Sequence, residues 1–247
     1  MKKKLIILLT LFAPLTLFGA SMESAAGLYA QGDFQGAVEE YETILSSGWE
    51  SATLYYNLGN SYFRLGQNTK AILSYERALK IDPTDDDIRH NLVFAKERTV
   101  DKIDTPESIF LERWWADIRN IASADTWSYA SIGLFTLFIA ALLGYIFMHS
   151  IGVRKASFSI AVVALFFCII TFSLAYQQNK IQSDNTHAII LAQTVTIKST
   201  PDSSGTDLFI LHEGTKVQIN EYVGSWAEIS TEDGSKGWID VNQIEVI

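Results

Sequence analysis

The sequence predicts a multidomain membrane protein: an all-α solenoid of helical repeats, a two-helix transmembrane hairpin and a small all-β barrel at the C-terminal end. Three observations predict this fold class. Residues of the same type recur at a spacing of 34 near the start of the chain, as in stacked helical repeats. Two uncharged apolar runs follow, each long enough to cross a bilayer. The final segment alternates short β-branched runs with Gly- and Asp-rich turns.

The N-terminal sequence MKKKLIILLTLFAPLTLFGAS has the layout of a secretory signal, with three lysines, an apolar run and then small residues. We predict a signal peptide over residues 1–21, cleaved after Ala20 or Ser21, with an uncleaved anchor as the alternative. In either case the lysines stay in the cytoplasm and the chain that follows crosses the membrane.

The net charge of −9 is divided unevenly along the chain. Residues 21–105 carry 8 basic and 14 acidic groups, and residues 181–247 carry 3 basic and 10 acidic groups. Acidic surfaces repel the phosphates of nucleic acids, so the composition excludes nucleic acid as a partner. The single cysteine, Cys168, lies in an apolar run and has no partner for an intramolecular disulfide.

The repeat is clearest in three pairs of identical residues, each 34 apart: Ala37 and Ala71, Tyr41 and Tyr75, and Gly32 and Gly66. This is the period of the tetratricopeptide repeat, and the second unit resembles that family. The family's signature positions hold Tyr55, Leu58, Gly59, Tyr62, Ala71, Tyr75, Ala78 and Pro83. The pattern predicts an all-α solenoid over residues 22–103, with about two repeats and a capping helix.

The capping helix is predicted to begin at Thr84, with Asp85, Asp86 and Asp87 in its first turn. Negative charge at this position is favourable for the helix dipole. A metal site at the three carboxylates is the alternative interpretation.

Protein binding is predicted for the concave side of the solenoid, which the first helix of the second repeat lines. The positions that face the groove in this family correspond to Thr53, Tyr56, Asn60, Phe63 and Arg64, and Asn57 lies nearby and completes the predicted site. Such a polar and aromatic lining is typical of sites for an extended segment or a helix of another protein. The alternative is that Tyr56 and Phe63 only pack between the repeats.

An amphipathic helix is predicted over residues 107–123, between the solenoid and the first apolar run. Its apolar side holds Phe110, Trp114, Trp115, Ile118 and Ile121. Paired tryptophans beside a membrane span favour a position in the bilayer interface. The alternative is a last solenoid helix that packs one tryptophan into the core.

The two apolar runs predict transmembrane helices at residues 127–148 and 156–176. The short loop between them contains Arg154 and Lys155 and no acidic residue, so it is predicted to face the cytoplasm. The hairpin then leaves both soluble parts on the periplasmic side of a bacterial inner membrane. Neither span contains an ionisable residue, so the sequence offers no candidate for an ion path.

Residues 186–247 resemble the bacterial SH3-like domains, a family of small all-β barrels. The resemblance rests on VTIKSTP at 195–201, LHEGTKV at 211–217, Trp226 with Ile229, and Gly237-Trp238-Ile239. It implies a core of Leu208, Ile210, Val217, Ile219, Ile229 and Ile239.

In the wider SH3-like family, the positions of Trp226 and Trp238 line a peptide groove, which makes them candidate ligand-binding residues. The family's proline and tyrosine at the end of that groove are replaced here by Asp240 and Gln243. The alternative is that Trp238 supports the fold and Trp226 packs at the surface.

The sequence contains no pattern of residues that predicts catalysis. GxSxG, P-loop and HExxH motifs are absent, and no histidine has metal-ligand spacing with Cys168 or another histidine. We therefore expect neither enzyme activity nor a cofactor nor a metal. The remaining prediction is a binding protein.

Taken over nearly its full length, the sequence resembles the BatE-like tetratricopeptide proteins of the Bacteroides aerotolerance (Bat) system. The most informative stretches are FLERWWADIRN at 110–120 and DLFILHEGTKV at 207–217. The resemblance implies an inner-membrane scaffold in an aerotolerance or envelope stress complex. Its implied partners are Bat proteins with von Willebrand A domains and a MoxR-type ATPase. The alternative function is a peptidoglycan-binding envelope sensor, in which the barrel binds the stem peptides of the cell wall.

Overall fold

A computed structural model of the protein describes residues 20–102 and 110–247. The predicted signal peptide, except for its last two residues, and the start of the predicted interfacial helix at 107–109 lie outside the described residues. The helices are α1 Met22–Gln31, α2 Phe34–Ser46, α3 Ala52–Arg64, α4 Asn68–Ile81, α5 Asp86–Lys96, α6 Phe110–Arg119, α7 Ala124–Phe147 and α8 Ile151–Ser183. The strands are β1 His187–Ile190, β2 Thr194–Lys198, β3 Asp207–His212, β4 Lys216–Val223, β5 Trp226–Ser230, β6 Lys236–Asp240 and β7 Ile244–Val246.

The first five helices form two stacked helical hairpins and a capping helix, as the repeat predicts. Ser51 accepts a hydrogen bond from the backbone N–H of Leu54 and so caps α3. Asp85 caps α5 in the same way, which gives the predicted acidic turn a structural role. At Gly66, after α3, the chain takes a left-handed conformation with φ of 77°, which glycine adopts without steric cost.

Close packing of the second hairpin depends on Gly59. A Cβ atom at this position would lie 2.6 Å from the Tyr75 ring, so only glycine lets α3 and α4 approach this closely. Tyr75 is almost fully buried, together with Tyr41, Leu54 and Ile72. Contact with the Tyr75 ring therefore explains why the repeat signature has a glycine at position 59.

The two long apolar helices, α7 and α8, are joined by three residues and pack against each other as a hairpin. Their mean hydropathies are 2.2 and 2.6, and they are long and apolar enough to span a membrane. Each starts before its predicted span, and α8 continues seven residues beyond the predicted end at Tyr176. Small or polar side chains, including Ala164 and Cys168, are buried where the two helices meet.

The C-terminal part is one antiparallel sheet of seven strands in the order β3-β2-β6-β5-β4-β1-β7. The sequence predicts about five strands, and the structure has two more. β3 and β7 are the edges of the sheet and do not pair with each other, so the sheet is not closed into a barrel.

The predicted core of the sheet is wrong at two positions. Leu208 and Ile210 are 48% and 55% exposed. In the register of β2 and β3, Phe209 lies opposite the buried Ile197 and so shares its face, whereas Ile210 faces outward with Thr196. Because side chains alternate along a strand, an error of one residue reverses every assignment.

The repeat helices and the sheet share a hydrophobic core. Ile189 of β1 and the C-terminal Ile247 belong to the same buried cluster as Tyr75 and Ile72. A Cβ atom at Gly214 would lie 3.1 Å from the side chain of Ile72, so the β3–β4 turn also touches the repeat. The two parts are therefore packed as one body.

A buried carboxylate joins the two parts electrostatically. The Glu76 side chain on α4 is only 8% exposed. Its Oε2 accepts a 2.7 Å hydrogen bond from Lys216 Nζ of β4, and its Oε1 lies 2.6 Å from Lys96 Nζ of α5. Burial raises the pKa of Glu76, but the charges of Lys216 and Lys96 outweigh burial and hold this pKa below its usual range.

A second carboxylate, that of Asp101, binds the end of β3. Its Oδ2 accepts 2.7 Å hydrogen bonds from the backbone N–H of His212 and from the Thr215 hydroxyl. The His212 ring nitrogen Nδ1 lies 2.8 Å from Oδ1. Burial raises the pKa of Asp101, but the bonds from His212 and Thr215 reverse this and lower the pKa.

The β7 edge of the sheet is covered by α4. Arg77 donates one hydrogen bond to the Glu245 carboxylate and one to the backbone oxygen of Val246, and Lys80 donates to the backbone oxygen of Ile247. Exposed strand edges attract other strands, and these side chains occupy backbone acceptors of this one.

Replacing Glu76 with Gln is expected to loosen the contact between the repeat and the sheet. Lys96 and Lys216 would then face each other without the charge between them, at a cost of about 1–3 kcal/mol because both lysines remain partly hydrated. The measurement is amide hydrogen exchange of the detergent-solubilised chain, with faster exchange expected in β1 and β4. Glu97→Gln, at an exposed carboxylate after α5, is the matched control. Equal exchange in the two variants contradicts the prediction.

The same interaction predicts a pH dependence that Glu76→Gln removes. Folding lowers the pKa of Glu76, so its contribution is complete above the unfolded pKa of about 4.3 and is lost as the pH falls through the lower folded value. The protection of the β1 and β4 amides, corrected for the intrinsic exchange rate at each pH, should therefore fall in acid more for the unmodified protein than for the variant.

Candidate functional site

The repeat helices enclose an open cavity of about 370 Å³ on the side where α1, α3 and α5 meet. Its lining combines aromatic rings, amides and guanidinium groups: Tyr29, Asn60, Phe63, Arg64, Tyr75, Asn91, Phe94 and Arg98. We call this cavity the repeat groove. Its volume falls within the range of ligand-binding sites, which is about 300–1,000 Å³.

Asn60 organises the floor of the repeat groove. Its Oδ1 accepts a 2.8 Å hydrogen bond from the hydroxyl of Tyr75 and a 2.9 Å hydrogen bond from Nδ2 of Asn91. Nδ2 of Asn91 also lies 3.3 Å from the hydroxyl of Tyr56. Burial, followed by the neighbouring Tyr56 and Tyr29, raises the pKa of Tyr75, so its hydroxyl stays protonated as a donor.

Two arginines flank the repeat groove, and each is stacked on an aromatic ring. The guanidinium carbon of Arg64 lies 4.4 Å from the centre of the Phe34 ring, and that of Arg98 lies 4.2 Å from the centre of the Phe63 ring. Stacking restricts these side chains while their charged groups stay exposed. The lining includes no carboxylate among the described residues, so the groove is positively charged on an acidic protein.

Three of the six predicted groove residues, Asn60, Phe63 and Arg64, line the repeat groove. Tyr56 contacts the amide network through its hydroxyl. Thr53 and Asn57 lie on α3 but do not line the cavity.

The groove residues on other helices were not predicted, although the repeat period contains a signal for them. They are Tyr29, Tyr75, Asn91, Phe94 and Arg98. Three pairs of lining residues are each 34 positions apart: Tyr29 and Phe63, Asn60 and Phe94, and Arg64 and Arg98. Equivalent positions of stacked repeats project into the same groove, so shifting the six predicted residues by one repeat finds four of the five missing ones, since Asn57 also shifts onto Asn91.

The two tryptophans predicted to bind ligand lie on one face of the sheet. Trp226 pairs with Asp240, and Trp238 pairs with Glu228 on the adjacent strand. Both tryptophans are half-buried and project away from Ala227 and Ile239, which are fully buried on the other face. The structure therefore brings them to the same surface, as neighbours on a diagonal.

Within residues 20–102 and 110–247, His, Cys, Asp and Glu side chains form no group of three suited to hold a metal ion. The acidic turn at Asp85 instead satisfies the backbone N–H groups of Asp87 and Ile88.

Comparison with known families identifies the hairpin at the centre of the groove. A profile described as tetratricopeptide repeat matches residues 52–85, which comprise α3, α4 and the turn that follows. The chain therefore contains a tetratricopeptide repeat, as predicted from its sequence. No curated protein matches the chain.

Replacing Asn60 with Ala is expected to destabilise the groove. The change removes the acceptor for two donors, and an unpaired buried donor costs about 1–3 kcal/mol. The measurement is the midpoint of thermal unfolding followed by far-UV circular dichroism. Asn57→Ala is the control, because the Asn57 side chain makes no hydrogen bond to the described residues. The prediction is wrong when both variants unfold at the same temperature.

Proposed function

We propose that this protein is a non-enzymatic membrane scaffold that binds a segment of a partner protein in the repeat groove. The observation that carries the proposal is the open, preformed cavity in which Asn60 and Asn91 are fixed by hydrogen bonds and Arg64 and Arg98 by ring stacking. Tetratricopeptide domains generally use their concave surface to bind other proteins. Preformed polar and aromatic sites reduce the entropy lost when a partner binds.

The charge of the groove favours an acidic partner segment. Arg64 and Arg98 hold exposed guanidinium groups on either side of the amide floor, and guanidinium groups bind carboxylates with paired hydrogen bonds. The rest of the chain is strongly acidic and repels such a segment. The groove therefore attracts an acidic segment.

A position in the membrane is proposed for α7 and α8. At about 1.5 Å per residue, the 24 residues of α7 extend about 36 Å, enough for a hydrocarbon core of about 30 Å. Only 11% and 33% of their most apolar segments are buried within the protein. The core helix of a water-soluble domain would be mostly buried, so a surrounding bilayer accounts best for the exposed apolar side chains.

Charge and the contact between the soluble parts support a proposed side of the membrane for them. A hairpin of two spans returns the chain to its starting side, and the Glu76–Lys216 contact requires the repeat and the sheet to occupy one compartment. Arg154 and Lys155 in the loop favour a cytoplasmic position for it. We therefore assign the repeat and the sheet to the periplasmic side of a bacterial inner membrane.

The proposal includes the finer identity that the sequence suggests. The C-terminal sheet is taken as an SH3-like module, and the whole protein as a BatE-like scaffold of an aerotolerance or envelope stress complex. What supports this is the order of segments together with the motifs at 110–120 and 207–217. The partner expected in the groove is a Bat protein with a von Willebrand A domain, in a complex that also contains a MoxR-type ATPase.

Reversing the two groove charges tests partner binding. A photo-crosslinking amino acid at Phe63 should capture the partner in cells, and the pair Arg64→Glu and Arg98→Glu should reduce capture about tenfold or more by repelling an acidic segment. The pair Lys180→Glu and Lys236→Glu, at exposed side chains of α8 and β6, changes the charge equally outside the groove and should have no effect. Capture that is unaffected by the paired reversal would overturn the proposed groove function.

Thiol labelling tests the membrane arrangement. Cysteines replace three exposed residues, Ser46 on α2, Ser203 in the turn between β2 and β3 and His149 in the loop between α7 and α8, while the native Cys168 is buried. A membrane-impermeant maleimide added to intact spheroplasts should label the first two positions and reach the third only after lysis. Labelling of Ser46→Cys without Ser203→Cys would contradict the arrangement.

A further inference from the structure

A second cavity lies where the repeat, the sheet and the helices α6 and α8 meet. Its volume is about 420 Å³. Four basic side chains from four different elements line it: Lys80 of α4, Arg89 of α5, Arg119 of α6 and Lys216 of β4. Its acidic lining consists of Glu76 and Asp184. We call it the junction cavity; among its described lining residues, basic groups exceed acidic ones by two.

Three of the four cations already have partners in the protein. Lys216 donates a hydrogen bond to Glu76, and Glu76 also forms an ion pair with Lys96, which does not line the cavity. Arg89 bonds to Asp86 and to a backbone oxygen, and Lys80 bonds to the backbone oxygen of Ile247.

Arg119 differs from the other three cations. Its Nε makes one long bond of 3.4 Å to the side chain of the neighbouring Asn120, and it forms no ion pair with a carboxylate among the described residues. Burial lowers its pKa, although a guanidinium remains charged at every physiological pH. A charge in this environment gains the most from an anion that enters the cavity.

The junction cavity lies at the depth of lipid headgroups when α7 and α8 span a bilayer. Ile181, which lines it, is five residues beyond Tyr176 on α8, or about 7.5 Å along the helix. The headgroup region extends about 5–8 Å beyond the hydrocarbon on each side. Trp127, in the first turn of α7, donates a 3.0 Å hydrogen bond to the backbone oxygen of Arg119, which joins α7 to a residue that lines the cavity.

A hydrogen bond between α6 and α8 directs Arg119 toward the cavity. Trp115 Nε1 donates to Gln177 Oε1 at 2.9 Å. Arg119 is four residues after Trp115, and Ile181 is four residues after Gln177, so each pair shares one helix face. The two faces that meet at the tryptophan therefore continue to Arg119 and Ile181, which both line the cavity.

We propose that the junction cavity binds the phosphate of an anionic phospholipid headgroup, with Arg119 as its principal ligand. The guanidinium group presents parallel donors that match the oxygens of a phosphate. The inference depends on the membrane position of α7 and α8 given under the proposed function. A bound lipid would hold the repeat, the sheet and α6, the helix that precedes the spans, at one level of the bilayer, because the four cations come from these three parts.

Native mass spectrometry of the full chain in detergent tests the site. The protein is titrated with phosphatidylglycerol and with phosphatidylcholine of the same acyl chains. The unmodified protein is expected to retain one phosphatidylglycerol with a preference of about tenfold or more, as one charge-assisted contact provides. Arg119→Gln should remove that preference, and Arg113→Gln, at an exposed position of the same helix, should keep it.

Arg119→Lys covers the case in which Arg119→Gln does not fold. It keeps the charge but loses the paired donors, so an intermediate preference is expected. Equal retention of the two lipids by the unmodified protein, or an unchanged preference after replacement of Arg119, would overturn the site.

Titration with inorganic phosphate distinguishes a site for a lipid headgroup from a site for free phosphate, since both ligands present phosphate oxygens. The phosphate is added to the lipid-free protein in detergent at millimolar concentration. Retention of phosphate that is lost in Arg119→Gln, without selective retention of phosphatidylglycerol, would assign the cavity to free phosphate and overturn the lipid assignment.

Insertion into nanodiscs tests the membrane position separately. A chain that fails to insert refutes the membrane position, whereas an inserted chain without lipid preference refutes only the headgroup site.

Discussion

The carboxylate of Glu76 is the contact on which the arrangement of the soluble parts depends. A charge buried this deeply is stable only when its surroundings replace the lost water, and two lysines do so. One of them, Lys96, belongs to the capping helix, and the other, Lys216, belongs to the sheet 140 residues later in the chain. The helical region therefore provides one of the two cations that stabilise the buried carboxylate, and docking of the sheet provides the other.

The sheet also covers the apolar face that a short solenoid leaves exposed at its end. A terminal helix of a repeat array leaves an apolar face uncovered, and arrays of fewer than three repeats are usually too small to be stable. Here Ile189 and Ile247 of the sheet enter the core of the repeat helices. The sheet acts as the C-terminal cap of a solenoid that would otherwise end at α5, and this explains how about two repeats suffice.

The sequence predicts features that depend on local periodicity and misses those that depend on distant pairs. The tetratricopeptide hairpin, the two apolar helices and the groove residues on α3 follow from spacing within a few turns. The contacts of Glu76 with Lys216 and of Asp101 with His212 join residues more than a hundred apart, and no local pattern marks them. The exposed Ile210 was assigned to the core because a short apolar run does not reveal which alternate residues face inward.

The groove and the junction cavity share the helix α5, which contributes Asn91 to the first and Arg89 to the second. The groove is shaped by α1, α3 and α5, whereas α4 and α5 also provide Glu76 and Lys96 to the contact with the sheet. Because α5 contributes Asn91 to the groove and Lys96 to the contact, a shift of the sheet would reach the groove through a single rigid helix. A partner held in the groove is therefore held at a fixed orientation to the sheet and to the start of the apolar hairpin, as a scaffold requires.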